Sequence, residues 1–209
     1  MRTAALIVIL ACCVLRGGIV DRIAATVGPE VITESRVALE LRMAALIEGT
    51  EPALDLESRR KMVQRLIEQT LIRREVGFTR FPASTDADVE LLLAQVAVRY
   101  PAGLAGALER YAVSEADLKE QLRWQLTMLR FIEYRFQPAV AVSDAQLRQE
   151  YRRQAAVWRE KNAGDPPALE QMRPELEKIL RQQLTDSALD RWLGEVRTQN
   201  TILYRGEYR

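Results

Sequence analysis

Apolar residues recur at intervals of three and four along most of the chain after residue 33, and this spacing constrains the fold more than any other feature. Side chains three and four positions apart share one face of a helix, so each such run predicts an amphipathic helix. Polar capping residues, Gly and Pro separate the runs. The predicted helices cover residues 33–47, 55–77, 84–98, 104–111, 114–136, 143–158 and 169–197. We therefore expect a mainly α, multi-helix fold.

Two short β-prone stretches precede the helices. Residues 22–27 and 30–32 are separated by Gly28 and Pro29, a pair typical of a tight turn, which predicts a small hairpin. A lone hairpin with such short arms is only marginally stable in water. Residues 201–204 are also β-prone, so we expect them to join the hairpin as a third strand.

The composition argues against catalysis and metal binding. The chain has no histidine, which removes the commonest general base and a frequent metal ligand. Its two cysteines, Cys12 and Cys13, lie together in the N-terminal apolar run, so they cannot build a zinc site or a disulfide framework in the folded body. We expect no catalytic residues, no metal and no cofactor.

The charges are nearly balanced, with 30 Lys and Arg against 29 Asp and Glu. A net charge of +1 creates no long-range field that would attract nucleic acid. The charge-rich stretches at residues 57–61 and 148–153 mix with acidic residues, as solvated helix faces do. We expect no nucleic-acid partner.

The N-terminus resembles an export signal. Arg2 precedes an apolar run over residues 4–15 that is too short to span a bilayer, and Gly17 and Gly18 end it. We predict that residues 1–18 are a signal peptide and that the protein is periplasmic. The alternative is a lipoprotein anchored at Cys12, and only in that case do we expect the protein to bind a membrane.

Several weak motifs, in the same order along the chain, resemble the N-terminal peptide-binding module of SurA-type periplasmic chaperones. The order of these motifs carries the resemblance rather than any one of them, and it extends over nearly the whole chain after the signal. They lie at residues 20–27 (VDRIAATV), 31–35 (VITES), 65–72 (RLIEQTLI), 142–151 (VSDAQLRQEY), 192–193 (WL) and 201–204 (TILY).

One part of the family pattern is missing. The parvulin-type isomerase domain of this family usually stands between the helix ending near Trp158 and the last long helix, where this chain has only a loop at residues 159–168. The resemblance therefore implies one SurA-like chaperone domain, formed by residues 19–160 and 169–205, without prolyl isomerase activity. It also implies that the partners are unfolded polypeptides or outer-membrane protein precursors.

A chaperone of this kind needs exposed apolar side chains. The predicted helix 114–136 has one apolar stripe at Leu118, Leu122, Leu126, Leu129, Ile132 and Phe136 and a second at Trp124, Met128 and Phe131. The second stripe contacts either a client, another subunit or a neighbouring helix in the core. The candidate peptide-binding residues are Trp124, Met128, Phe131, Tyr134, Tyr100 and Tyr111.

Two other interpretations remain open from the sequence. The same scaffold could serve as a structural or adaptor module for one fixed partner. The short loop after Trp158 could also keep the last helix from folding back, so that the terminal strand pairs with a second chain in a domain-swapped homodimer.

Overall fold

The structure is a computed structural model that describes residues 21–162 and 164–209. The predicted signal peptide lies outside these residues. Within them the chain forms seven α-helices and three β-strands, which confirms the prediction of a mainly α fold. In chain order the elements are β1 (Ile23–Val27), β2 (Glu30–Thr33), α1 (Glu34–Glu48), α2 (Leu56–Thr79), α3 (Asp86–Ala97), α4 (Leu104–Tyr111), α5 (Glu115–Phe136), α6 (Asp144–Lys161), α7 (Leu169–Gln199) and β3 (Ile202–Tyr204).

The three strands form one antiparallel sheet in the order β2-β1-β3. Gly28 makes the turn between β1 and β2 with a φ of 55°, a left-handed conformation that favours glycine. Ala25 lies opposite Ile32 on one side and Tyr204 on the other, so β1 is the central strand. The expected pairing of the C-terminal strand with the hairpin is confirmed, and it occurs within a single chain.

Most helices begin at the polar residues that predicted them. The side chains of Thr33, Asp55, Thr85, Ser114 and Ser143 each accept a hydrogen bond from a backbone N–H in the first turn of a helix. Such caps satisfy backbone donors that have no acceptor within the helix. The capping box predicted at the start of α6 is present, and α3 has one as well.

Replacing Thr85 with Ala is expected to lower the free energy of unfolding by about 1 kcal/mol, because the N–H of Asp88 would lose its side-chain acceptor. Urea denaturation followed by circular dichroism would measure the change. Thr85→Ser keeps the hydroxyl and should remain close to the wild type. Equal losses in both variants would show that the methyl group, not the cap, matters.

Two hydrophobic clusters lie on opposite sides of α5. The sheet core joins the strands to α1, α2, α7 and one side of α5, and it contains Trp124 and Phe131. The α3–α4 core joins α1, α3 and α4 to the other side of α5, and it contains Leu118 and Leu122. Helix α5 therefore packs against both hydrophobic cores.

A third, smaller cluster holds α6 against the first half of α7. Its buried members are Leu147, Leu176 and Leu180, and Tyr151 donates a hydrogen bond of 3.0 Å to the carbonyl of Pro167. We call this helical pair the α6–α7 arm. The last helix thus folds back on α6 within the same chain, and the domain-swapped homodimer stays a prediction.

Helices α2, α6 and α7 continue beyond their predicted ends, to Thr79, Lys161 and Gln199 respectively. Arg80 takes the left-handed conformation that ends α2. Helix α7 begins at Leu169 as predicted, with Pro174 inside it. Proline removes only one helical hydrogen bond there, and packing against the cluster of the arm stabilises the turn before it.

Candidate polypeptide-binding surface

Two of the predicted binding residues on α5 are part of the core. Trp124 is only 5% exposed, Phe131 is fully buried, and Met128 is partly buried beside them. Of the alternatives that the sequence left open for this stripe, the structure shows contact with the core, because the sheet core covers it. Leu129, which the sequence placed in the inward stripe, is instead exposed, since Met128 and Phe131 face the sheet core at this level.

Tyr100 and Tyr111 support the end of α1 instead of facing a client. The hydroxyl of Tyr100 donates to the carbonyl of Leu46 at 2.5 Å, and that of Tyr111 donates to the carbonyl of Thr50 at 2.7 Å. The two rings meet edge to face with their centres 6.4 Å apart. Burial and the neighbouring Tyr111 raise the pKa of Tyr100 to about 12. Tyr111 is buried and Tyr100 is partly buried, so both side chains pack within the protein, and their role in binding stays a prediction.

Tyr134 is the one predicted binding residue that is clearly open to solvent. It is 67% exposed, and its ring lies 5.4 Å from that of Phe81. Phe81 in turn meets the buried Phe131 edge to face, also at 5.4 Å. This row of three rings runs from the sheet core to the surface. Phe78, three residues before Phe81, is 83% exposed at the end of α2.

A groove between the end of α5 and α7 begins at Tyr134. It consists of two adjoining hollows of about 390 and 500 Å³ that share three lining residues, Glu133, Gln137 and Arg181. We call it the α5–α7 groove. Its walls combine one aromatic ring, the ring of Pro138 and polar side chains. Such a mixture can contact both the side chains and the backbone of a bound polypeptide.

The charges along the α5–α7 groove are mixed. Arg130 reaches the carboxylate of Asp88 with two nitrogens, at 2.9 and 3.0 Å. This pair lowers the pKa of Asp88 and raises the pKa of Arg130, so both side chains stay charged. Glu133 and Arg181 add one charge of each sign to the walls. A groove with balanced charges does not select strongly for acidic or basic partners.

A second, smaller hollow lies near the tip of the α6–α7 arm. It measures about 310 Å³ and is lined by Val157, Trp158 and Met172 together with Arg153 and Lys161. Trp158 and Val157 are both exposed to solvent. Exposed aromatic and Met side chains can adapt to different apolar partners, so the arm offers a second contact region.

The described residues offer no group of three or more metal-ligating side chains close enough together to hold an ion. None of the helices in these same residues has the length and apolar content needed to cross a membrane.

The sequence predicted Tyr134 but not the rest of the groove. Arg130 and Arg181 lie on different helices and belong to no recognisable pattern, and only the packing of α5 and α7 brings them together. Phe78 and Phe81 lie outside the lining of the groove, in the segment predicted to be a loop, and Phe81 contacts Tyr134.

The fold and these surfaces define a mainly α protein with a small closing sheet and an open, partly aromatic groove. The chain matches no protein-family model, and no curated protein shows a significant match to it.

Proposed function

We propose that this protein is a non-catalytic periplasmic chaperone that binds unfolded polypeptides, including outer-membrane protein precursors, in the α5–α7 groove and on the adjoining aromatic surface. The observation that carries the proposal is the exposed ring of Tyr134, which contacts Phe81 and lines the groove, together with the exposed side chain of Phe78 at the end of α2. Large exposed apolar side chains that the core does not use are what a holding chaperone requires. The periplasmic location rests on the apolar run within residues 1–18.

The order of elements supports the resemblance to the SurA-type module. A hairpin opens the described chain, helices follow, and a long returning helix leads to a strand that pairs with the hairpin. Between α6 and α7 there are seven residues where the family usually carries its isomerase domain. The proposal accordingly contains no isomerisation step, and binding alone is the activity.

The decisive experiment measures aggregation of an outer-membrane protein diluted from urea, followed by light scattering. The mature protein should suppress scattering at a few-fold molar excess. The double variant Phe78→Ser with Tyr134→Ser should lose most of this suppression, because both side chains are exposed and their removal leaves the core intact.

The matched control is Leu91→Ser with Val98→Ser, which removes two exposed apolar side chains, 68% and 82% exposed, at α3 and its C-terminal end. This control should suppress scattering like the wild type. Equal loss in both double variants would mean that general hydrophobicity, not the groove, holds the client. If the wild type has no effect even in several-fold excess, the chaperone proposal is wrong.

A pull-down separates the adaptor interpretation from the chaperone. A chaperone should retain many different unfolded proteins, whereas an adaptor should retain one partner in fixed stoichiometry. One stoichiometric partner, retained equally by the Phe78 and Tyr134 variant, would favour the adaptor.

A further inference from the structure

A hollow of about 360 Å³ opens beside β2, on surfaces that the proposed groove does not use. Strand β2 and helices α1, α2 and α5 all contribute to it. The residues that matter for its chemistry are Val31, Ile32, Arg36, Thr70, Arg73 and Glu120. Its walls are therefore apolar on the side of the strand and polar on the side of the helices.

Arg73 is the positively charged lining residue on which the binding argument rests. The carbon of its guanidinium lies 3.9 Å from the centre of the Trp124 ring, so the buried indole forms a platform under the charge. In the described part of the chain, no acidic group comes within ion-pair distance of Arg73, whereas Arg36 lies 2.5 Å from the buried Glu40. Burial and the nearby Arg36 lower the pKa of Arg73.

The contact between the guanidinium of Arg73 and the ring of Trp124 limits the motion of the guanidinium before a ligand binds. A planar guanidinium binds a carboxylate through two parallel N–H donors, and a fixed orientation reduces the entropy lost on binding. Thr70, one turn earlier on α2, adds a hydroxyl to the same hollow. These groups match a single carboxylate.

The same hollow lies at the edge of the sheet. Strand β2 is an outer strand in the order β2-β1-β3, and Val31 is 52% exposed. Successive side chains of a strand point to opposite faces, so a hollow lined by both Val31 and Ile32 reaches around the strand edge. Outer strands offer backbone donors and acceptors to an added extended segment.

We propose that this hollow binds a carboxylate carried by an extended polypeptide segment, with Arg73 donating to the carboxylate and β2 pairing with the backbone of the segment. The inference deepens the proposed function, on which it rests, because it names a second contact and a chemical group in the client. The carboxylate is either the C-terminus of the client or an Asp or Glu side chain.

Glu120 weakens the binding of any anion in this hollow. It is an exposed carboxylate on the same wall, one helical turn before Trp124, and it raises the pKa of Arg73 against the effect of burial. Its negative charge repels a bound carboxylate and lowers the affinity that Arg73 would otherwise give. Removing the charge of Glu120 should therefore strengthen the binding of a carboxylate.

The test uses three fluorescein-labelled peptides of one extended, Val- and Thr-rich sequence, and fluorescence anisotropy measures their binding to the mature protein. One peptide ends in a free carboxylate, one in an amide, and one in an amide with an internal Glu. The wild type should bind at least one carboxylate peptide about tenfold more tightly than the plain amide. Arg73→Gln should abolish this preference, and Glu120→Gln should increase it.

Arg148→Gln on α6 is the matched control, because it removes one exposed cation far along the chain from the hollow, and it should keep the wild-type preference. If only the free-acid peptide binds tightly, the ligand of the hollow is a client C-terminus. If both carboxylate peptides bind tightly, the hollow binds the carboxylate of a C-terminus or of a side chain. Equal affinity for all three peptides would overturn the inference, as would an unchanged preference in Arg73→Gln. Since Glu120→Gln keeps the Arg73 platform, its effect remains informative even if Arg73→Gln unfolds.

The outcomes also separate this inference from the proposed function. Suppression of aggregation without any carboxylate preference would refute only the site beside β2. A carboxylate preference without suppression would refute the chaperone and leave the hollow as a carboxylate-binding site.

Discussion

Replacing Phe131 with Ala should lower the free energy of unfolding by about 3–5 kcal/mol. The ring is fully buried in the sheet core and meets Phe81 edge to face. Its removal would open a cavity where α5 packs against α2 and the sheet, and the remaining side chains can fill it only partly. Urea denaturation monitored by circular dichroism would measure the loss.

Tyr134→Ala is the matched control for Phe131→Ala, because it removes an aromatic ring from the next turn of the same helix. Its side chain is mostly exposed, so the expected loss is below about 1 kcal/mol. Similar losses in the two variants would contradict the assignment of Phe131 to the core and of Tyr134 to the binding surface.

Replacing Arg74 with Met should lower the free energy of unfolding by about 2–3 kcal/mol. The guanidinium donates to the carbonyl of Val27, to Asn200 Oδ1 at 2.8 Å and to Glu30 Oε1 at 2.6 Å. It thereby connects α2 to the hairpin turn and to the end of α7. The expected loss is modest because the side chain is partly exposed and water can replace some of these hydrogen bonds.

Arg74→Lys tests the geometry behind this expectation. A lysine keeps the charge but cannot reach three acceptors in different directions from one planar group, so it should recover only part of the loss. Thermal unfolding of the two variants would rank them. A lysine variant as stable as the wild type would show that the charge at residue 74 alone, and not the three hydrogen bonds of the guanidinium, holds α2 to the hairpin turn and to the end of α7.

The secondary structure could be predicted well because its signals are local. Ser114 and Ser143 begin helices at the expected residues, since a capping side chain needs only the backbone of the next turn. Gly28 and Pro29 likewise indicated the hairpin turn. The end of α2 shows the limit, because the helix continues two residues past Gly77 and Arg80, a residue with no sequence signal for it, takes the left-handed conformation that ends the helix.

The candidate site was harder to predict because burial is decided by neighbours. Helix α5 carries two apolar stripes, and the sequence cannot tell whether the second meets solvent or another part of the same chain. Trp124 and Phe131 lie in the sheet core because α2 and the strands cover them. Tyr134, one helical turn after Phe131, is not covered by these elements and is exposed to solvent.

The adjacent residues Arg73 and Arg74 illustrate the same limit for charged side chains. Both precede Glu75 in a charged stretch of α2 for which the sequence predicts no role. In the structure Arg73 rests on Trp124, while Arg74 contacts the hairpin and Asn200. Neither role has a local sequence signature, since each depends on a segment far away in the chain.

The pairing of β3 with β1 also sets an order of events during synthesis. Strands β1 and β2 can meet as soon as both have emerged from the ribosome, but β1 cannot gain its second neighbour until Ile202–Tyr204 follows. Contacts between such distant segments form late, because closing a long loop costs entropy before the contact forms. The nascent chain therefore carries an unpaired edge of β1 until residues 202–204 have been made.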